Sequence, residues 1–253
     1  MSKFDPGNLL WFGTTPAPPE PLPYLLGWNP ALSRFKPYGL PVKKLARSSE
    51  ASADFVAQTK SMLDKVDPGI TAALAKFGVA VLPTRDVYDA ILWLPFATPR
   101  GHEDRFSWKT IPGVCLIDGH LLVVCEYRED DRGYFRSENI QGVFNHELGH
   151  CLDRALDFIS SKPEFLACVA ADIKKLTPLD RAIYRYLLQP DLAGPSEIFA
   201  ECFACTQGLC CVESWTKDMP EYFSSSFQFV KKLVGSLTAP FLPTENSNAL
   251  QAN

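Results

Sequence analysis

A chain of 253 residues with 46% hydrophobic side chains has enough apolar material for one full core, and the length suits one sizeable domain with a small appendage. Its 25 basic and 29 acidic side chains leave no basic excess to neutralise phosphates, which argues against a nucleic-acid partner. No stretch approaches the roughly 20 apolar residues of a membrane span, and the start Met1-Ser2-Lys3-Phe4-Asp5-Pro6 has no apolar signal core, so the expected location is cytoplasmic, with non-classical export open.

Residues 1–48 hold nine of the 21 prolines, the composition of an extended arm. Trp11, Phe12, Tyr24 and Trp28 make that arm too apolar for a free linker, so it is expected to pack on the body of the protein. Residues 49–237 form the predicted domain, and 238–253 a polar tail. Phe55, Thr59, Met62, Leu63 and Val66 recur at helical spacing, and Asp67-Pro68 opens a second helix ending near Gly78. Val79 to Leu82 reads as a strand. Residues 85–113 show no clean periodicity, and Gly101-His102-Glu103-Asp104 reads as a loop. Val114 to Ile117 and Leu121 to Cys125 flank Asp118-Gly119, a type I′ hairpin signal. His120, beside that turn, is expected at the surface rather than as a ligand. Ser137 is the expected cap of a helix running through Ile140, Val143, Phe144 and Leu148 to about Phe158. Pro163 and Pro178 suit the first turns of two more helices, with Thr177 as a cap. Gly194-Pro195-Ser196 opens another, and a last helix from near Asp218 carries Phe223, Phe227, Val230 and Val234. The class is therefore α+β: mainly helical, with a small, mostly antiparallel sheet.

Within this frame His146-Glu147-Leu148-Gly149-His150 stands out, because the chain has only four histidines and two of them sit four apart. On a helix that spacing puts both imidazoles on one face, one turn apart, with Glu147 beside them. Glu197 and Glu201 repeat the spacing downstream. A hydrolytic zinc site needs three protein ligands and a fourth position for water, and His146, His150 and Glu197 supply that count. Glu147 is placed to act as general base toward a metal-activated water. A bound histidine usually donates its other N–H to a carboxylate, and Glu201 is the candidate for that service to His146. Asp153 is expected to orient a ligand or to cap local polarity. The predicted activity is zinc-dependent hydrolysis of peptide bonds in a peptide or protein substrate.

His146-Glu147-Leu148-Gly149-His150-Cys151-Leu152-Asp153 and Glu197-Ile198-Phe199-Ala200-Glu201-Cys202-Phe203 resemble the two motifs of the anthrax lethal factor-type gluzincin peptidases. The likeness covers about residues 70–210. It implies a zincin-like metallopeptidase domain with Zn2+ on His146, His150 and Glu197, and Glu147 as base. That family typically places an oxyanion-stabilising tyrosine seven residues before the glutamate ligand, where this chain has Pro190. Tyr186 is the favoured replacement, Tyr184 its neighbour in contention, and an ordinary half-buried helix residue the plain alternative for either.

Other HExxH classes fit less well. The metzincin extension needs glycine and histidine where Asp153 and Leu156 stand. A deformylase-like amide hydrolase would use an upstream cysteine, and Gly113-Val114-Cys115-Leu116 has that flavour, but Glu197 and Glu201 would then be unexplained. A catalytically silent binding or toxin-accessory module would have no need of Glu147. The eight cysteines, including Cys202-x-x-Cys205 and Cys210-Cys211, read as free, mostly buried thiols. Either strand of the hairpin before the zinc helix could line a substrate cleft, or the hairpin could be purely structural.

Overall fold

The computed structural model describes residues 10–11, 51–87, 108–116, 120–130 and 133–239. Most of the proline-rich arm, the Gly101 to Asp104 loop, the Asp118-Gly119 turn and the tail from residue 240 lie outside the described residues. Among those described, the protein is α+β and mainly helical, with a small sheet.

Helix α1 (Ala53–Leu63) is capped by Ser52, whose hydroxyl accepts from Phe55 N. It buries Phe55, Thr59, Met62 and Leu63, the stripe expected from their spacing. Helix α2 (Pro68–Phe77) starts where predicted, with Asp67 accepting from Gly69 N and proline in the first turn. The four-stranded sheet has the order β1 (Leu10–Trp11), β2 (Ala80–Thr84), β4 (Leu121–Cys125), β3 (Gly113–Leu116). Its outer pairings are antiparallel, while β2 runs parallel to β4, with Ala80 opposite Leu121. Every residue of β2 and β4 is buried, so both faces of these central strands are covered, and β3 is the outer strand.

A two-stranded hairpin, β5 (Tyr127–Asp130) with β6 (Gly133–Arg136), was not foreseen. Its sequence lacks apolar alternation because neither face joins the core. Instead it is held by side-chain stacking, Tyr127 on Tyr134 with ring centroids 5.1 Å apart and Arg128 over Phe135 at 4.9 Å.

Helix α3 (Ile140–Ala155) carries the His-Glu-x-x-His motif. Two expectations about its ends are corrected. Its cap is Asn139, not Ser137: Asn139 sits at φ 48°, ψ 40° and accepts from Gly142 N, a left-handed conformation that asparagine tolerates better than most residues. Its amide also donates to Cys210 O at 2.9 Å and Cys211 O at 2.7 Å. The helix ends short of Phe158 because Asp157 and Phe158 turn left-handed, at φ 58° and 55°.

Helices α4 (Pro163–Lys175) and α5 (Pro178–Ile183) begin at the predicted prolines, and Thr177 forms a reciprocal cap with Asp180. Helix α6 (Ala193–Thr206) carries Glu197 and Glu201 and is buried continuously from Gly194 to Ala204. The single last helix expected from near Asp218 is two, α7 (Trp215–Tyr222) and α8 (Ser224–Thr238), separated at Phe223. Pro220 removes one backbone donor from α7. Asp172 of α4 then restarts the helix, accepting from Ser225 N, Ser226 N and Ser226 Oγ at 2.8 to 3.0 Å.

The core lies where α3 and α6 cross. Phe144, Leu148 and Leu152 meet Ile198, Phe199 and Phe203, all fully buried, and Phe165 packs edge-on against Phe199. All eight cysteines are free thiols. No helix among the described residues is long and apolar enough to cross a membrane.

Candidate metal centre

The site depends on how closely α3 and α6 approach. A Cβ on Gly149 would lie 2.8 Å from Ala200 Cα and 3.0 Å from Ala200 O, so only glycine lets the helices touch backbone to backbone here. That contact brings His146 and His150, on either side of Gly149 along the helix, against Glu197. The distances are 3.1 Å between the two Nε2 atoms, and 3.2 and 3.3 Å from His146 Nε2 and His150 Nε2 to Glu197 Oε2. Ligand atoms about 2.0–2.1 Å from a tetrahedral zinc ion lie about 3.3 Å from one another. The three atoms thus stand like three corners of that tetrahedron, and the two rings are set edge to face at 86°. Among the described residues this is the one group of three such side chains close enough to hold an ion.

Charge supports the same reading. Burial works to lower the affinity of His146 for a proton, yet Glu201, Glu197 and Glu147 together hold it well above the usual histidine range. Burial works to raise Glu197, and His150 and His146 pull it well below the usual carboxylate range. The point where these donor atoms converge therefore favours positive charge. Glu147 is half-buried. Burial raises its carboxyl above the ordinary value, opposed by His146 and His150, with further lowering from a backbone hydrogen bond donated by Cys115 of β3.

Behind the three donors stands a set of supports. Glu201 Oε1 lies 3.1 Å from His146 Nδ1, out of line with the ring N–H, while Glu201 Oε2 accepts from Cys211 N at 3.2 Å. Ser196 Oγ lies 3.3 Å from His150 Nδ1. Arg154 Nη1 donates to His150 O at 3.1 Å and lies 3.4 Å from His150 Nδ1. Asp153 spends both oxygens on Ser160, accepting from its N and Oγ at 2.7 Å each. It caps the turn after α3, and among the described residues it approaches the site through Arg154, 3.8 Å away.

The two tyrosines separate cleanly. Tyr184 is buried among Trp215, Tyr222 and Phe223, and its hydroxyl donates to Asp218 Oδ2 at 2.9 Å. Tyr186 faces the site: its hydroxyl is hydrogen-bonded to Glu197 and is raised by burial, then by the charges of Glu197 and Glu147. Gly194 permits this, since a Cβ there would meet Gln189 O at 2.5 Å and Leu187 O at 2.9 Å. The turn carrying Tyr186 therefore packs on the first turn of α6.

His120 is corrected on exposure. It is 6% exposed, stacked on Phe77 at 4.1 Å with Nδ1 3.3 Å from Gly78 O, and it takes no part in the site. Cys115 turns its sulfur to Cys151, 3.6 Å away, and lies outside the metal-capable group. Cys211, in contrast, sits close enough to feel His146 and three of the glutamates. Burial chiefly drives its thiol up to about 12, so it stays protonated near neutral pH. Ser196, Arg154, Cys211 and Asn139 were not singled out as site residues from sequence. Only Ser196, one residue before the third ligand, carried a positional hint.

No family model, curated protein or solved structure matches the chain. What the site can do follows from its donor set.

Proposed function

We propose that the chain is a zinc-dependent metallopeptidase, an endopeptidase with a zincin-like catalytic domain of the lethal factor type. The carrying observation is the triangle of His146 Nε2, His150 Nε2 and Glu197 Oε2, with edges of 3.1 to 3.3 Å, built from two helices and leaving one tetrahedral corner for water. These residues would hold Zn2+, which supplies Lewis acidity, making water acidic near neutral pH and polarising the scissile carbonyl.

Glu147 takes the proton of the attacking water and returns it to the leaving amine. Its raised carboxyl pKa makes it a stronger base than an exposed glutamate and a ready donor once protonated. The Tyr186 hydroxyl, kept protonated by its surroundings, is a hydrogen-bond donor beside Glu197. It would stabilise the negative charge that develops on the carbonyl oxygen. Strand β3 ends the sheet among the described residues and can accept an extended substrate as an added strand. An intact base argues against a silent module, since a site that only holds metal has no use for Glu147.

Glu147→Gln tests the reading. The variant is expected to bind one zinc ion per chain, as the parent does, and to lose cleavage across a broad peptide library. Equal cleavage by parent and variant would remove the proposal, as would a parent preparation that takes up no zinc.

A further inference from the structure

His150 has a neighbour that the metal-site reading does not by itself explain. An imidazole that gives its Nε2 lone pair to a cation carries its proton on Nδ1, and that N–H then needs an acceptor. His150 Nε2 is the atom that faces His146 Nε2 and Glu197 Oε2, so Nδ1 points away from the triangle. Among the described residues, two side chains reach Nδ1. Arg154 Nη1, at 3.4 Å, is a donor only and has no lone pair to offer. Ser196 Oγ, at 3.3 Å, is the one of the two that can accept.

We infer that Ser196 is the positioning residue of His150: its hydroxyl accepts the Nδ1 proton and so holds the ring in the tautomer that frees Nε2 for the metal, against Arg154, which favours the opposite tautomer. This rests on the metal-site reading above.

Three features make the pairing effective. Ser196 is 5% and His150 6% exposed, so bulk water is a poor substitute acceptor, and losing the hydroxyl leaves a buried donor without a partner. Ser196 precedes Glu197 directly on α6, so one rigid helix delivers both the third ligand and the support of the second. Arg154 is anchored by its bond to His150 O and by its nearness to Asp153. It therefore stays beside the ring whichever tautomer is present, and the serine settles the choice. Beside His146 Nδ1 stands a carboxylate instead, Glu201 Oε1 at 3.1 Å. The two imidazoles thus have unlike neighbours, a charged one for His146 and a neutral one for His150.

The test is zinc affinity, measured by competition with a chelating dye, for the parent, Ser196→Ala and Ser196→Thr, with thermal unfolding recorded alongside. Partners of ligating histidines are worth about 10- to 100-fold in affinity, so Ser196→Ala should weaken zinc binding by about that factor. Ser196→Thr, which keeps the hydroxyl, should stay within about threefold of the parent. Nitrogen-15 spectra of the zinc-loaded parent should show a His150 Hδ1 protected from solvent exchange. This readout holds even if the alanine variant does not fold. A folded Ser196→Ala with parental zinc affinity, or a rapidly exchanging Hδ1 in the parent, overturns the inference while leaving the metal site intact. A parent that binds no zinc overturns both.

Discussion

Two buried regions of this protein treat carboxylates in opposite ways. At the junction of α4 and α8, Asp172 is fully buried and spends its oxygens on Ser225 N, Ser226 N, Ser226 Oγ and Lys175 Nζ. At the crossing of α3 and α6, Glu197 and Glu201 are as deeply buried, yet they converge on the ring nitrogens of His146 and His150. A carboxylate that satisfies a helix start is stabilising structure. Glutamates aimed at imidazoles across a gap, with a third carboxylate beside them, concentrate negative charge where only a cation or a proton relieves it. Depth of burial is the same in both regions, and the identity of the partners separates scaffold from site.

The sharpest way to break this contrast is to remove one carboxylate from each region. Glu197→Ala should weaken zinc binding by ~10³-fold or more, beyond the 10- to 100-fold typical of a supporting partner. A chelator-competition titration checks it. Tyr186→Phe should lower kcat at saturating zinc by about 10²- to 10³-fold, the usual cost of one oxyanion donor, while the loss of its bond to Glu197 weakens zinc binding by no more than the ~10- to 100-fold of a supporting partner. Comparing kcat with the zinc dissociation constant separates that role from a merely structural one. Asp172→Ala should instead cost about 2–3 kcal/mol of stability through the loss of a helix cap and several buried hydrogen bonds. Denaturant unfolding measures this, and zinc affinity should not change.

Acidity sharpens the comparison further. His146 holds its proton more tightly than an ordinary histidine, and that proton competes with the metal. Zinc affinity should therefore fall as pH drops, beginning above the pH at which an unperturbed histidine would titrate. A zinc titration repeated from pH 8 down to 5 reads this. The smallest effect concerns Glu147, whose carboxyl is raised in the folded state. The folded protein then binds more protons than the unfolded chain, so this group's favourable contribution is lost as pH rises through the raised value. At neutral pH its ionised form is a cost. Glu147→Gln should raise the unfolding temperature of the metal-free protein at pH 7, and a lower value would contradict the desolvation argument.

Much of this site was spelled out locally. Two histidines four apart, and two glutamates four apart on a second helix-compatible run, need only the helical repeat to be placed on one face each. Proline and threonine at helix starts were equally plain, at Pro68, Pro163, Thr177 and Pro178. What stayed hidden depended on tertiary packing. Tyr184 and Tyr186 are two residues apart in one turn-rich segment, and nothing local says that one points to Asp218 and the other to Glu197. Asn139 displaced Ser137 as the cap because its amide also reaches the carbonyls of Cys210 and Cys211, about 70 residues on. Hairpin β5–β6 was missed because its strands face no core and so show no alternation. Ser196 looked like a helix-start residue until the approach of α3 put His150 against it.

The central claim is that one zinc ion is held by side chains from α3 and α6. Anomalous diffraction at the zinc edge from crystals grown with zinc tests it most directly. The account predicts a single strong peak about 2.0–2.2 Å from His146 Nε2, His150 Nε2 and a Glu197 carboxylate oxygen. A peak seated on the Cys115 and Cys151 sulfurs, or no peak between the three donors, would contradict it.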